Sequence, residues 1–202
     1  MEIKVKAGEI ILDGKILNDL DKDVLEFIRI IKGRYVIISG YVAIVFGRPR
    51  TTEDVDIFVE MKNFKEFDEF YGKMIKNGYY CMSNGSAEEL YGQFGEGLPL
   101  RIAKEGIVFP NFEIKRPMSD SAKIAIGKRK KLSFDSHSLF ISPPELQIAY
   151  KLYLGGDKDY EDARFLYMTL KAYLDRKELK DLIGKLKISN KVVKKVLGDI
   201  DA

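Results

Sequence analysis

The sequence predicts an α+β fold, with a small mixed sheet flanked by helices and a C-terminal helical bundle after it. Three observations carry this. The apolar, β-branched runs Tyr35 to Ile38 and Val55 to Val59 read as buried strands around a short apolar stretch, Tyr41 to Phe46. Further short strand candidates recur as far as residue 141. Beyond that point only helical periodicity with cap residues remains. The change near residue 140 divides the chain into an α/β part, 1–140, and a helical part, 141–202.

Residues 2–17 alternate loosely, and Asp13-Gly14 has the chemistry of a two-residue hairpin turn. Asn18 or Asp19 caps a helix whose apolar stripe is Leu20, Val24, Phe27, Ile28 and Ile31, with Gly33 past its end. After the central stretch, Asn63 caps a helix with Phe64, Phe67, Tyr71, Met74 and Ile75 on one face, and Gly78 lies past its end. Tyr79 to Met82 is a strand candidate. Residues 84–99, rich in Gly, read as a surface loop with one helical turn in AEELYG. LRIA (100–103), GIVF (106–109) and NFEIK (111–115) are short strand candidates. Ser119 or Asp120 caps a short helix, and KLSFDSHSLFI (131–141) reads as an extended segment or hairpin. Ser142 as N-cap, Pro143 at N1 and Glu145 at N3 spell a capping box on a helix through Leu154. Three helical patterns follow.

Composition narrows the function classes. With 46% hydrophobic and 11% aromatic residues the chain can bury a core. Net charge is +3, and from residue 171 onward nine basic side chains face five acidic ones, so an anionic partner is permitted without being demanded. A single cysteine, Cys81, excludes an internal disulfide and fits a reducing cytoplasm. MEIKVKAGEI lacks the apolar core of a signal peptide. The longest apolar run, Tyr35 to Phe46, has about half the roughly 20 residues of a membrane span and is broken at Ser39-Gly40. A soluble, cytoplasmic protein with no membrane association is expected. Abundant Lys, Glu and Ile with only two Gln and no Trp fit a thermophilic source. One histidine, His137, without a second His or Cys partner argues against zinc.

The chemistry concentrates in residues 35–60. Alternation along a strand points Asp54 and Asp56 the same way while Val55 and Ile57 face the core. Two adjacent carboxylates stay ionised together only if something positive lies between them, and Mg²⁺ suits oxygen ligands and phosphate chemistry. Ser39-Gly40, between a strand and a helix, offers backbone N–H groups and a close approach for phosphate. Glu113, flanked by Phe112 and Ile114, is the candidate third ligand or base. The tyrosines and phenylalanine at 150, 153, 165 and 167 follow helical spacing and are expected in the core. The basic run Lys128 to Lys131 reads as a solvated face or an RNA contact.

The pattern Ser39-Gly40, then Gly47-x-Pro49-Arg50-x-Thr52-x-Asp54-x-Asp56, resembles the signature of the polymerase-β-like nucleotidyltransferase superfamily. Its likeness is to the branch of minimal nucleotidyltransferases and abortive-infection (AbiEii-type) toxin enzymes. Ser39 departs from that pattern, standing where the branch has glycine, and Glu113 stands where aspartate is commoner. Ser142-Pro143-Pro144-Glu145, Lys151-Leu152 and Lys158-Asp159-x-x-Asp162 are similar to the branch's C-terminal motif.

The resemblance implies a catalytic domain over 1–140 and metal-dependent transfer of a nucleoside monophosphate from an NTP to an acceptor hydroxyl. Asp54, Asp56 and Glu113 would hold Mg²⁺ or Mn²⁺. Ser39, Gly40, Arg50 and Thr52 would bind the nucleotide, Lys151 a phosphate, and Asp159 or Asp162 would position it or the acceptor. The acceptor class stays open among RNA such as tRNA, a protein, or a small molecule, and a cognate antitoxin belongs to the same context. The alternative is a non-catalytic nucleotide-sensing or partner-binding module of the same fold.

Overall fold

The computed structural model describes residues 1–200. It opens with a hairpin, β1 (Glu2–Lys6) and β2 (Glu9–Asp13), turned at Ala7 and Gly8 with φ of 49° and 81°. Positive φ at both central residues is what a tight hairpin turn needs. The turn therefore precedes Asp13-Gly14. The chain beyond Gly14 is claimed instead by a buried ion pair, Lys15 to Asp21 at 2.9 Å. Asn18 caps α1 (Asp19–Ile28), and Asp21 completes a capping box while accepting the Tyr41 hydroxyl at 2.8 Å. Asp21 thus fastens α1 to the following short helix.

That helix, α2 (Gly40–Val45), is buried at every position and lies between β3 (Arg34–Ile37) and β4 (Asp54–Glu60). Next come α3 (Phe64–Lys76), β5 (Tyr79–Cys81), α4 (Ala87–Gly95), β6 (Leu100–Lys104) and β7 (Asn111–Lys115). α5 (Asp120–Gly127) leads to a second hairpin, β8 (Lys130–Phe134) and β9 (His137–Ile141). The chain then becomes helical: α6 (Pro144–Leu154), α7 (Asp157–Leu170), α8 (Arg176–Lys185) and α9 (Asn190–Leu197).

The fold is mixed α/β. One nine-stranded sheet runs β1-β2-β8-β9-β3-β4-β7-β6-β5, with parallel pairs at β2/β8, β9/β3 and β4/β7. It is larger than the small sheet expected. Both hairpins join it, β9 to β3 through Ile141 opposite Ile37 and β2 to β8 through Ile10 opposite Leu132. Their alternation is legible, but nothing local names their partners. On one side Phe27 stacks on Phe112 with ring centroids 4.0 Å apart, and Tyr79 packs edge-on against both. α6 packs on α7 and α8, and its Leu146, Ile148 and Leu152 belong to the same apolar core as the sheet.

Three local expectations are corrected. α4 is a full helix, because Ser86 and Glu89 form a capping box that outweighs the neighbouring glycines. Residues 106–109 are not a strand. They make the connection between antiparallel β6 and β7, with no free edge to pair on, and Ile107 to Phe109 stand exposed. Ser142 does not cap α6. Its N–H donates to the Ile37 carbonyl and extends the sheet, Pro143 takes the cap position, and Glu145 Oε1 accepts the Asp175 N–H instead.

Candidate active site

β4 alternates strictly between half-buried and buried positions, so Asp54, Asp56, Phe58 and Glu60 share one face while Val55, Ile57 and Val59 are buried on the other. β7 lies parallel to β4 with Asp54 opposite Asn111 and Asp56 opposite Glu113. The register sets Glu113 directly beside Asp56. Glu113 is only 7% exposed, between core residues Phe112 and Ile114.

A cation sits between the two carboxylates, and the chain supplies it. Lys115 Nζ lies 2.9 Å from Asp56 Oδ1 and also pairs with Glu113, which receives Arg101 Nε at 2.9 Å. Burial opposes the charge on Glu113, but hydrogen bonds from Lys115 and Arg101 outweigh it and hold the carboxyl below its ordinary range. Burial likewise works against the Lys115 ammonium, and its carboxylate partners outweigh this, raising its pKa.

Two carboxylates from paired strands converging on one positive charge fit a hard divalent cation. Among the described residues no three acidic, His or Cys side chains lie close enough to hold a metal by themselves. Mg²⁺ does not require that, since it is commonly held by one or two carboxylates, waters and substrate phosphates. The donor set therefore fits, on condition that the Lys115 ammonium gives up its place.

Ser39 has φ 62° and ψ −136°, a backbone shape disfavoured for a residue with Cβ, and glycine would adopt it readily. Its N–H donates to Gln147 Oε1 on α6 at 3.0 Å. At Gly40 a Cβ would come within 3.0–3.3 Å of the Arg50 guanidinium, so the missing side chain lets Arg50 lie against the start of α2. Thr52 Oγ1 donates to the Asp54 carbonyl at 2.9 Å and braces the strand's first residue.

Arg50 Nη1 donates to Asp162 Oδ2 at 2.7 Å. The same fully buried carboxylate pairs with Arg48 and, at 3.1 Å, with Lys151, which also donates to Asp159 at 2.6 Å. Burial and the neighbouring Arg48 push the Arg50 pKa down. Asp162 is thus the shared counter-ion of three cations, tying the loop before β4 to α6 and α7.

A cavity of about 300 Å³ opens over β4 and α6, lined by Asp56, Lys115, Ser39, Gln147, Tyr150 and Lys151 among others. Ser142 lines it too. That side chain is fully buried and its Oγ has no hydrogen-bond partner. An unmet buried hydroxyl on a cavity wall is a standing demand for a ligand or water. The cavity thus brings together Ser39, Asp56 and Lys151. Asp159 reaches it through Lys151, whereas Asp162 stays behind the wall.

Sequence reading missed Lys115, Arg48, Gln147 and Ser142 as site residues. Lys115 had a signal, because it lies two residues after Glu113 and must share its face. Two tyrosines expected in the core are exposed: Tyr150 borders the cavity and its ring lies 5.9 Å from that of Tyr153. Tyr167 is buried as expected. The run at Lys128 to Lys131 is partly consumed internally, with Lys128 on Glu178, Lys131 on Glu9 and Arg129 stacked on Phe140 at 4.1 Å.

Among the described residues no helix is long and apolar enough to cross a membrane. No family model and no curated protein matches the chain. Among solved structures, it is similar to an antigenic nucleotidyltransferase-like protein from Paracoccidioides brasiliensis, at 18% identity over 87% of this chain and 88% of that one. The TM-score is 0.49, too low for any property of that protein to be carried across.

Proposed function

We propose that the chain is a metal-dependent nucleotidyltransferase that moves a nucleoside monophosphate from an NTP to an acceptor hydroxyl. The observation that carries the reading is the β4/β7 register, which sets Glu113 beside Asp56, and Asp56 in turn lines a cavity bordered by Ser39 and Lys151. The match of Arg50, Thr52, Asp54 and Asp56 to the superfamily pattern, and of 142–162 to the C-terminal motif of the AbiEii-type branch, supports it.

In this reading the acceptor oxygen bonds to the α-phosphorus as the bond to the bridging oxygen breaks, and pyrophosphate leaves. The hydroxyl proton passes to a carboxylate of the Asp54, Asp56, Glu113 set. Mg²⁺ or Mn²⁺, held by those carboxylates, would neutralise phosphate charge. Lys151 and Lys115 are the ammonium groups placed to meet phosphate oxygens at the cavity wall. Arg50, locked to Asp162, supplies fixed positive potential at the start of α2. Asp159 aims Lys151. The part up to residue 140 carries the carboxylates and the helical part closes the cavity. A non-catalytic nucleotide sensor is the second reading, favoured by the lysine lodged between Asp56 and Glu113 and by strained Ser39 in the glycine position.

Calorimetry with each of the four NTPs, with and without Mg²⁺ or Mn²⁺, tests the proposal. Metal-dependent NTP binding together with pyrophosphate release supports transfer. Binding without release, for every acceptor class offered, favours the sensor, and no binding of any NTP discards both.

The Lys115 ammonium and a divalent cation compete for the same carboxylates. Lys115→Met is expected to tighten Mn²⁺ binding in the absence of nucleotide by roughly tenfold, a modest share of the attraction between unit charges at contact distance. Lys115→Arg should leave it near wild type. Equal Mn²⁺ affinity in wild type and Lys115→Met would show that the lysine does not guard the site.

A further inference from the structure

A second, larger cavity of about 940 Å³ lies beyond the end of β4. Six basic side chains border it against three acidic ones. The acids are committed within the fold. Glu69 pairs with Lys32 at 3.0 Å, Glu60 with Arg34 at 3.6 Å, and Glu66 accepts the Lys62 backbone N–H at the start of α3. Lys62, Lys73, Arg116 and Lys123 remain; among the described residues none of the four forms a salt bridge, although Lys73 feels the charge of Glu69 and Arg116 Nη1 donates to the Gly95 carbonyl at 3.4 Å. They come from four places: the β4–α3 junction, α3, the β7–α5 connection and α5.

Four separate segments bringing cations without a salt-bridge partner to one concavity raise its potential at a cost in self-repulsion, which a bound polyanion relieves. The floor is apolar, through Ile30, Met61, Phe70 and Pro117. Cations on a rim above an apolar floor suit a chain that alternates phosphates with flat bases better than a run of carboxylates.

The two cavities run along the same face of β4. Asp56 and Phe58 line the smaller and Glu60, on that face, lines the larger. Four residue steps along the strand separate Asp56 from Glu60, about 13 Å. The end of β7 and the residue after it border both, Lys115 on one side and Arg116 on the other. A strand lying over the basic cavity would therefore bring its end to the carboxylates.

We propose that this cavity seats the phosphates of a single-stranded polynucleotide whose terminal ribose is the acceptor. The proposal rests on the transferase reading for the word acceptor, but the binding it predicts does not. The test is fluorescence anisotropy with a labelled ten-nucleotide RNA, measured across a salt series. Four neutralised phosphates predict a slope of log affinity on log salt near −3, from about −0.7 per contact on single strands.

Combined Lys62→Glu, Lys73→Glu, Arg116→Glu and Lys123→Glu should lower affinity on the order of 100-fold at low salt and flatten the slope. Circular dichroism checks that variant's fold, and the pair Lys62→Glu, Lys123→Glu at exposed positions gives the same direction with less perturbation. Asp54→Ala, Asp56→Ala should bind the RNA as wild type does. RNA binding by the wild type alongside absent NTP binding by the wild type would leave the groove standing while the transferase reading falls. RNA binding untouched by the charge reversals overturns the proposal. So does an acidic peptide of equal charge that binds as tightly, which would make the groove a protein-docking surface.

Discussion

Replacing Asp54 and Asp56 together by alanine is expected to abolish metal-dependent NTP binding, lowering affinity by at least about 100-fold. Loss of a single residue that only orients a metal ligand typically costs 10–100-fold, and here two proposed ligands are removed. Transfer to an acceptor should fall further, by roughly 1,000-fold or more, about 4 kcal/mol of transition-state stabilisation. The fold should survive. Both side chains are half-buried on the cavity face of β4, and the packing of that strand rests on Val55, Ile57 and Val59, which are untouched. Asp56 gives up one ion pair, with Lys115, which keeps Glu113. Calorimetry with Mg²⁺ and the preferred NTP reads the binding, and thermal unfolding reads the fold. NTP affinity unchanged in a well-folded double variant would place the nucleotide elsewhere and remove these carboxylates from the chemistry.

Why these residues were legible is instructive. Period-two alternation, two aspartates at a strand start and a flanking arginine and threonine are local features, and β4 forms with them on one face. Glu113 was legible as a strand residue opposite its core neighbours. Its position beside Asp56 depends on β7 adding parallel to β4, a crossover that local pattern does not encode. Lys115 went unseen for a different reason. A lysine ending a short strand usually meets solvent, whereas here its ammonium is drawn inward by two carboxylates whose proximity is itself a product of that crossover. The Ser142 to Glu145 capping box failed on competition, because the Ser142 N–H is taken by the sheet and Glu145 by the start of α8. Tyr150 follows helical spacing, yet the face it belongs to borders a cavity instead of another element. Spacing shows which residues share a face, and only the packing shows what that face meets.

The largest effect on stability is expected at Asp162. Its side chain is fully buried, and the three cations it serves, Arg48, Arg50 and Lys151, are themselves 12%, 19% and 6% exposed. Asp162→Ala would leave these charges converging on an empty position with Asp159 and Glu161 as the remaining acids. Removing one partner of a buried ionic cluster costs about 3–5 kcal/mol, since the charges left behind stay desolvated. For a chain of this size that corresponds to a fall in Tm of roughly 6–20 °C. Glu161 is the internal control. It pairs with Arg48 at 2.5 Å, but its side chain is 67% exposed, and Glu161→Ala should cost no more than about 1 kcal/mol. Asp162→Asn retains shape and one acceptor oxygen and should fall between the two. Differential scanning calorimetry of the three variants decides the matter, and equal Tm shifts for Asp162→Ala and Glu161→Ala would refute the idea of a buried hub. If the hub is real, the damage reaches the cavity as well. Lys151 on its wall and Arg50 against Gly40 both take their positions from this carboxylate, so Asp162→Asn should weaken NTP binding even at temperatures where the protein stays folded.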